Sequence, residues 1–343
     1  MTKTIKDVAK EANVSIATVS RVVNGKDRVK KETREKIQRA IDKLNYVPDQ
    51  AARTMINKKT RTIGMVVPVL SNEYWAKLAE FIQRKLLKKG YTLIVSTSYY
   101  ESESDNPCLS TFLERKVDGL IAGTLTKNME EDISEYLERF IKQDIPIVSF
   151  SSVKNNITSI TGDDLTSSIE AVEHLIRLGH KQIAFIGSLS TGIERELGYR
   201  NALMLNNMAV NEDLIISNRK DHVRNFSQYG YQCVRQLVLE NKEFSGLFCS
   251  NDLIAIGAIK ALDELGLDVP SDKAVVGFDD IDMAGLYRPA LTTVKQPIEE
   301  MAATAVDILL EQIENPIERY LQKNISFPME LVIRQSCGPP KKT

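Results

Sequence analysis

Long apolar runs, clustered cysteines and any large net charge are missing from this chain. No stretch approaches the ~20 apolar residues a membrane span needs, and the most apolar one, Gly246 to Leu262, is broken by Asn251, Asp252 and Lys260. The amino terminus alternates charged and apolar residues without an apolar signal region, so export is not expected and the chain reads as cytoplasmic. Cys108, Cys233, Cys249 and Cys337 lie far apart with no CxxC spacing; this excludes a zinc cluster, argues against a disulfide framework and fits reduced thiols. His174, His180 and His222 show neither metal-site spacing nor that of a nucleophile–base pair. His180, in LGHKQI, reads as a structural residue at a helix-to-strand turn. No GxGxxG follows a strand, and neither GxxxxGKS/T nor HExxH occurs. An enzyme is therefore not expected, and no cofactor or metal is implied.

What is present is 343 residues, 43% apolar and 27% charged, enough for two or three globular domains. The net charge of −1 conceals an asymmetry. Residues 1–60 hold 15 Lys/Arg against 7 Asp/Glu, a charge of +8, and the remainder carries −9. A small basic module on a larger acidic body is the layout of a polyanion-binding head joined to a regulatory domain. A merely solvated basic surface would give the same numbers.

Residues 1–47 contain three helical patterns. Thr4 with Asp7 reads as a capping box opening a helix whose apolar face is Ile5, Val8, Ala9 and Ala12. Asn13 tolerates the left-handed conformation of a tight turn. Ser15 caps a second helix in which Val19, Val22 and Val23 are available for packing, and a third runs from Lys31 to Leu44. Two short helices joined by a turn and closed by a third form a helix-turn-helix, whose second helix enters the major groove. Its exposed face carries Ile16, Ala17, Ser20 and Arg21. Arg21 can give two hydrogen bonds to a guanine edge, while Ile16 and Ala17 offer apolar contact to thymine methyls. Ser15, Thr18, Asn24, Thr33 and Arg34 suit phosphate contacts that fix register; Thr4 and Tyr46 complete the DNA-facing set. The alternative is a three-helix protein-interaction domain with a basic face.

Residues 48–61 form a linker. Pro48 can start a new helical turn, but DQAARTMIN is too short to hold a helix alone in water. It should order only against DNA or a partner helix. From 62 to 335 apolar strands such as TIGMVVPV, TLIVSTSY, VDGLIAG and IPIVSF alternate with helical stretches, and the pattern restarts at QIAFIGS, GLFCSN and KAVVGFDD. The fold class is therefore α/β: an all-α head followed by two doubly wound parallel-sheet subdomains facing a cleft. Ligands collect at the carboxyl ends of such strands, where Ser71, Asn72, Tyr74, the lone Trp75, Asn251, Asp252, Asp279 and Asp280 fall, with Arg195 early in the helix after QIAFIGSLST. Aromatic faces with Asp, Asn and Arg donors and acceptors suit a small polyol. Each residue also has an ordinary reading, Trp as core and Asp as a helix cap.

IKDVAKEANVSIATVSRVVNG, followed by TREKI and LNYVP, resembles the head of the lactose/galactose repressor (LacI/GalR) family. The resemblance continues through VDGLI, HLIRLGHKQIAFIG, GYRNAL, SNDLIAIGA, VPSDKAVVGFDD and ALTTVKQP to about Arg334. It implies that Ile16, Ala17 and Arg21 read bases, and that 48–61 is a hinge helix wedging the minor groove with Met55 beside Ala52 and Arg53. It also implies a body like the sugar-binding proteins of the periplasm. There Arg195, Asn251 and Asp279 hold an effector, Tyr74 and Trp75 line the pocket, and Gln296 lies near its rim. Phe226 is a further stacking candidate. Asn13 stands where the family has Gly, Lys30 near a Ser/Thr cap, Asp49 for Asn, Glu73 for Pro, and Ser151 where several members have Asp.

The function implied is a repressor that binds a palindromic operator as a homodimer under control of a small effector, sugar or sugar derivative. No leucine heptad tail of the kind that joins two dimers follows Glu330. The alternative within the family is a carbon-catabolite regulator whose corepressor is a phosphorylated carrier protein docking on the body. A transporter's solute receptor would have the same body but an export signal in place of the head.

Overall fold

The computed structural model describes residues 3–23, 29–46, 59–98, 107–123, 137–151, 157–218, 223, 225–315, 317 and 321–338. The chain divides into two compact units, 1–60 and 61–343.

The first unit contains α1 (Ile5–Ala12), α2 (Ile16–Val23) and α3 (Lys31–Leu44). Thr4 opens α1 as the capping box requires: its backbone N and its hydroxyl both donate to Asp7 Oδ2, at 2.8 and 2.9 Å. Those bonds, the backbone one first, hold the Asp7 carboxyl below its ordinary range. Asn13 ends α1 with φ 51° and ψ 51°, so the amide residue does take the left-handed turn. Ser15 Oγ accepts from Thr18 N at 3.1 Å to start α2. Lys30 makes no side-chain cap at α3, the weakening its identity predicts. Val8, Ala12, Val19 and Ile37 are buried together, with Val22, Val23, Leu44 and Tyr46 packed against them.

The second unit has two six-stranded sheets. The first is ordered β11-β5-β4-β3-β1-β2 and the second β12-β10-β9-β8-β6-β7. In chain order the strands are β1 (Thr62–Val67), β2 (Thr92–Thr97), β3 (Gly119–Ala122), β4 (Ile147–Ser149), β5 (Thr158–Gly162), β6 (Ile183–Ser188), β7 (Ile215–Asn218), β8 (Gly246–Cys249), β9 (Ala274–Asp279), β10 (Thr292–Lys295), β11 (Asn324–Phe327) and β12 (Glu330–Val332). Most apolar runs read as strands are central and doubly covered, as parallel sheets require; TLIVST is the exception, an edge strand only partly buried. Pairing is parallel except for β10 with β12.

The chain passes between lobes after β5, after β10 and after β11, so neither lobe is continuous in sequence. The helix Ile298–Glu314 returns to the first lobe, where Met301, Val306, Leu309 and Ile313 share one core with Met65, Leu78 and Ile82 of β1 and the helix Glu73–Lys88. Two crossings touch at Gly162, where a Cβ would meet Met329 Sδ at 2.6 Å. In the second lobe the helices Phe226–Leu239 and Asp252–Glu264 pack backbone to backbone, since a Cβ on Gly230 would overlap Ile254 and one on Gly257 would overlap Ser227.

Candidate functional site

In the head, the sequence-selected face of α2 is open. Ile16, Ala17 and Arg21 are exposed, while Val19 is buried beneath them. Thr18 and Ser20 are half-buried beside that face, and Thr18 Oγ1 lies 2.8 Å from Ser15 Oγ. Thr33 and Arg34 are half-buried in the first turn of α3, and Tyr46 packs on the core. Thr4 caps α1 and is itself exposed. Asn24, Ala52 and Met55, with residues 48–58 of the expected hinge and linker, lie outside the described residues.

In the body, the strand ends converge on one buried charge cluster. Arg195 projects from the helix Leu189–Leu205, which starts directly from the end of β6. Its Nη1 donates to Ser250 O at 2.5 Å and to Asp279 Oδ1 at 3.3 Å. Its Nε and Nη2 both reach Asp164 Oδ1 at 3.2 Å. The guanidinium lies 3.6 Å from the centre of the Phe278 ring, a cation–π stack in a desolvated setting. Burial opposes its charge, but Asp164 and Asp279 outweigh that and raise its pKa. Gln296, on the second crossing, donates to Asp279 Oδ1 at 2.7 Å. Burial pushes the Asp279 carboxyl up to about 6 against the pull of Arg195 and Gln296, and burial likewise raises Asp164. Asp279 and Asp280 close β9 at φ 113° and 53°, conformations non-glycine residues rarely adopt and that recur at functional sites.

Asn251 caps the helix Asp252–Glu264 by accepting from Ile254 N at 2.8 Å. That bond fixes which way the amide faces. It leaves Nδ2, fully buried, without a hydrogen-bond partner among the described residues. Tyr74 and Trp75 start the helix Glu73–Lys88 as an edge-to-face pair, ring centres 4.9 Å apart, and both are buried. The charges of Asp279 and Asp164 add to burial in raising the Tyr74 phenol, which puts this ring at the acidic cluster. Trp75 instead lies against Gly123 at the end of β3 and within the first lobe's core. Ser151 donates to Gly123 O at 3.4 Å and sits 3.1 Å from Ser149 Oγ on that same wall. Ser71 is exposed, and Phe226 is core.

The structure thus brings Tyr74, Arg195, Asn251, Asp279 and Gln296 to the crossings. It adds Asp164, Phe278 and the Ser250 carbonyl, which sequence reading missed. The signal for Asp164 was the helix start in GDDLTSS after a short strand that had not been read. Asp252 and Asp280 have structural work: Asp252 accepts from Ile281 N and Thr293 Oγ1, and Asp280 pairs with Arg334 Nη2 at 2.6 Å. His180 is structural as expected, its ring between Ser245 Oγ and Gly338 O. An open cavity of about 840 Å³ beside the cluster is lined by Lys77, Phe81, Asp279, Gln296, Ile298 and Met329, among others. Among the described residues no helix is long and apolar enough to cross a membrane.

Two family profiles match the chain: bacterial regulatory proteins of the lacI family over residues 4–49, and a periplasmic binding protein-like domain over 172–337. Catabolite control protein A of Priestia megaterium is 34% identical, the match covering 98% of this chain and 99% of that protein. The crystal structure of the Lac repressor dimer bound to operator and the anti-inducer ONPF superposes with a TM-score of 0.84 at 29% identity, covering 98% of this chain and 99% of the other. A LacI family transcriptional regulator from Enterococcus faecium with bound ribose gives a TM-score of 0.70 at 28% identity, over 82% of this chain and all of the other.

Proposed function

This chain belongs to the LacI family of bacterial regulatory proteins, and on that premise we propose a repressor that grips a palindromic operator as a homodimer and is switched by a small polyol held between the lobes of its body. In the head, Ile16, Ala17 and Arg21 read bases and Ser15, Thr18, Ser20, Asn24, Thr33 and Arg34 hold backbone or flanking positions, with Thr4, Tyr46, Ala52 and Met55 completing the contact. In the body, Asn251, Asp279 and Gln296 bond the ligand's hydroxyls, Arg195 holds Asp279 and Asp164 in place for them, and Tyr74 faces its ring, with Ser71, Trp75 and Ser151 on the first lobe's side. The observation that carries this is Asn251 Nδ2, a buried donor left unmatched next to Ser250, whose carbonyl holds Arg195. A buried donor without a partner costs on the order of 1–3 kcal/mol, which a ligand hydroxyl would recover. The ribose bound by the Enterococcus faecium relative supports the same chemical class.

Coupling requires only that the ligand prefer one arrangement of the lobes, which biases the paired hinges on DNA. Selection from random duplex DNA tests the head: a palindrome with half-sites about one helical turn apart is expected, and enrichment of no sequence would refute it. Titration with neutral sugars, followed by Trp75 fluorescence and calorimetry, tests the body. Saturable binding lost in Asp279→Ala is the expected result. The second reading, a carbon-catabolite regulator with a phosphorylated carrier protein as corepressor, is favoured by the match to a catabolite control protein. Enhanced operator binding on adding that carrier, with no sugar response, would select it.

A further inference from the structure

We propose that Asp164 makes this cleft select an uncharged, hydroxyl-rich effector and reject its phosphorylated or carboxylated forms; the inference rests on the cleft's being the effector site.

A ligand phosphate or carboxylate is best held by the Nε–Nη2 edge of an arginine, two parallel donors matching two oxygens. In this chain that edge of Arg195 is already taken, both nitrogens reaching Asp164 Oδ1 at 3.2 Å. The remaining terminal nitrogen, Nη1, is committed to Ser250 O and Asp279. One guanidinium against two carboxylates leaves the cluster at −1. The adjoining cavity reinforces this: beyond Asp279, its described charged lining is Lys77 and Lys295 against five carboxylates, of which Asp280 pairs with Arg334 and Glu80 with Arg84. One of those two lysines, Lys77, is itself paired with Glu73 and Asp282.

An anion entering here would meet a net negative field from partly buried charges, which solvent screens only in part. A neutral hydroxyl meets the opposite situation. It can donate to the Asp279 or Asp164 carboxylate and accept from Asn251 Nδ2 in one step. Asp164 is therefore a specificity-determining residue that acts by occupying the arginine.

The test compares matched pairs on the full-length protein: ribose with ribose 5-phosphate, glucose with glucose 6-phosphate and with gluconate, and further pentoses and hexoses treated likewise. Calorimetry should show the neutral member of the responding pair binding about tenfold tighter or more than its anionic form. Asp164→Asn, which keeps the shape but frees the guanidinium's charge, should shrink that ratio. An anionic member binding as tightly as its neutral partner overturns the proposal while leaving the effector site intact. An unchanged ratio in Asp164→Asn removes Asp164 from the selection. Silence from every neutral and anionic compound overturns the effector site itself, and the proposal with it.

Discussion

Lys77 Nζ lies 2.5 Å from Asp282 Oδ1, an ion pair that joins the helix Glu73–Lys88 of the first lobe to the helix Asp282–Leu286 of the second. Glu73 completes it, accepting from Lys77 Nζ and from Asp282 N at 2.9 Å each. The residue that replaces the family's frequent proline thus caps a helix in the opposite lobe. Hydrogen bonds to Lys77 draw the Asp282 carboxyl below its ordinary range. With Asp282 largely exposed, solvent limits the pair to under about 1 kcal/mol. Asp282→Ala should weaken effector binding a few-fold and flatten its salt dependence, measured by calorimetry at two ionic strengths. Identical affinities would show that the clasp does not bias closure.

Asp279 should give the site two opposed pH responses. Its carboxyl is raised to about 6 by burial, so the native state binds a proton more readily than the unfolded chain. Its stabilising contribution is therefore complete below the ordinary carboxylate range and is lost as pH rises through about 6. Effector binding needs the ionised acceptor and falls as pH drops through the same value. Between about pH 7.5 and pH 5, ligand-free melting should improve relative to Asp279→Asn while sugar affinity declines. Parallel melting of the two proteins would mean that Asp279 is ionised throughout.

Arg195→Met should cost on the order of 3 kcal/mol, because it leaves the buried Asp279 and the partly buried Asp164 without their counter-charge. Adding Asp164→Asn in the same chain removes one of them and should recover part of that loss. Denaturant unfolding of the three variants measures the coupling, and additive losses would dissolve the triad as a unit.

Arg21→Ala should relax base preference and cost ~1–3 kcal/mol on a selected operator. Arg34→Ala should weaken all sequences alike and lessen the salt dependence of binding. A uniform loss from Arg21→Ala, measured over single-base operator variants, would move it to the phosphate-contacting group.

The head was legible because its determinants are local. Thr4 and Asp7 are three residues apart, Asn13 needs only its own left-handed turn, and Lys30 fails to cap the helix it immediately precedes. The central strands were legible because GLFC and AVVGFD are buried throughout and TIGMVV at every residue after its first. Two others were not: TSITG, buried inside its sheet, and NISF, at its edge, carry too few apolar residues to stand out, and they pair with each other across some 160 residues of chain. Asp164 was missed for the same reason: only the crossing after β5 puts it on Arg195. The sequence treats Tyr74 and Trp75 alike as an aromatic pair, and no periodicity shows that Trp75 fills the first lobe's core while Tyr74 takes the place beside the charges.

The return of the helix Ile298–Glu314 to the first lobe has a consequence for synthesis. On the ribosome, segments 61–162 emerge first yet lack the helix that supplies Met301, Val306, Leu309 and Ile313 to their core. The lobe made second, by contrast, lacks at Lys295 only its edge strand β12 and the short tail after it, whose Arg334 and Ser336 bond Asp280, Val275 and Thr292. Nascent chains, which usually fold from the amino end, here should settle their later half before their earlier one. A truncation after Lys295 would leave a formed lobe tethered to an unfinished one, with the first half's apolar strands waiting on the last stretch of translation.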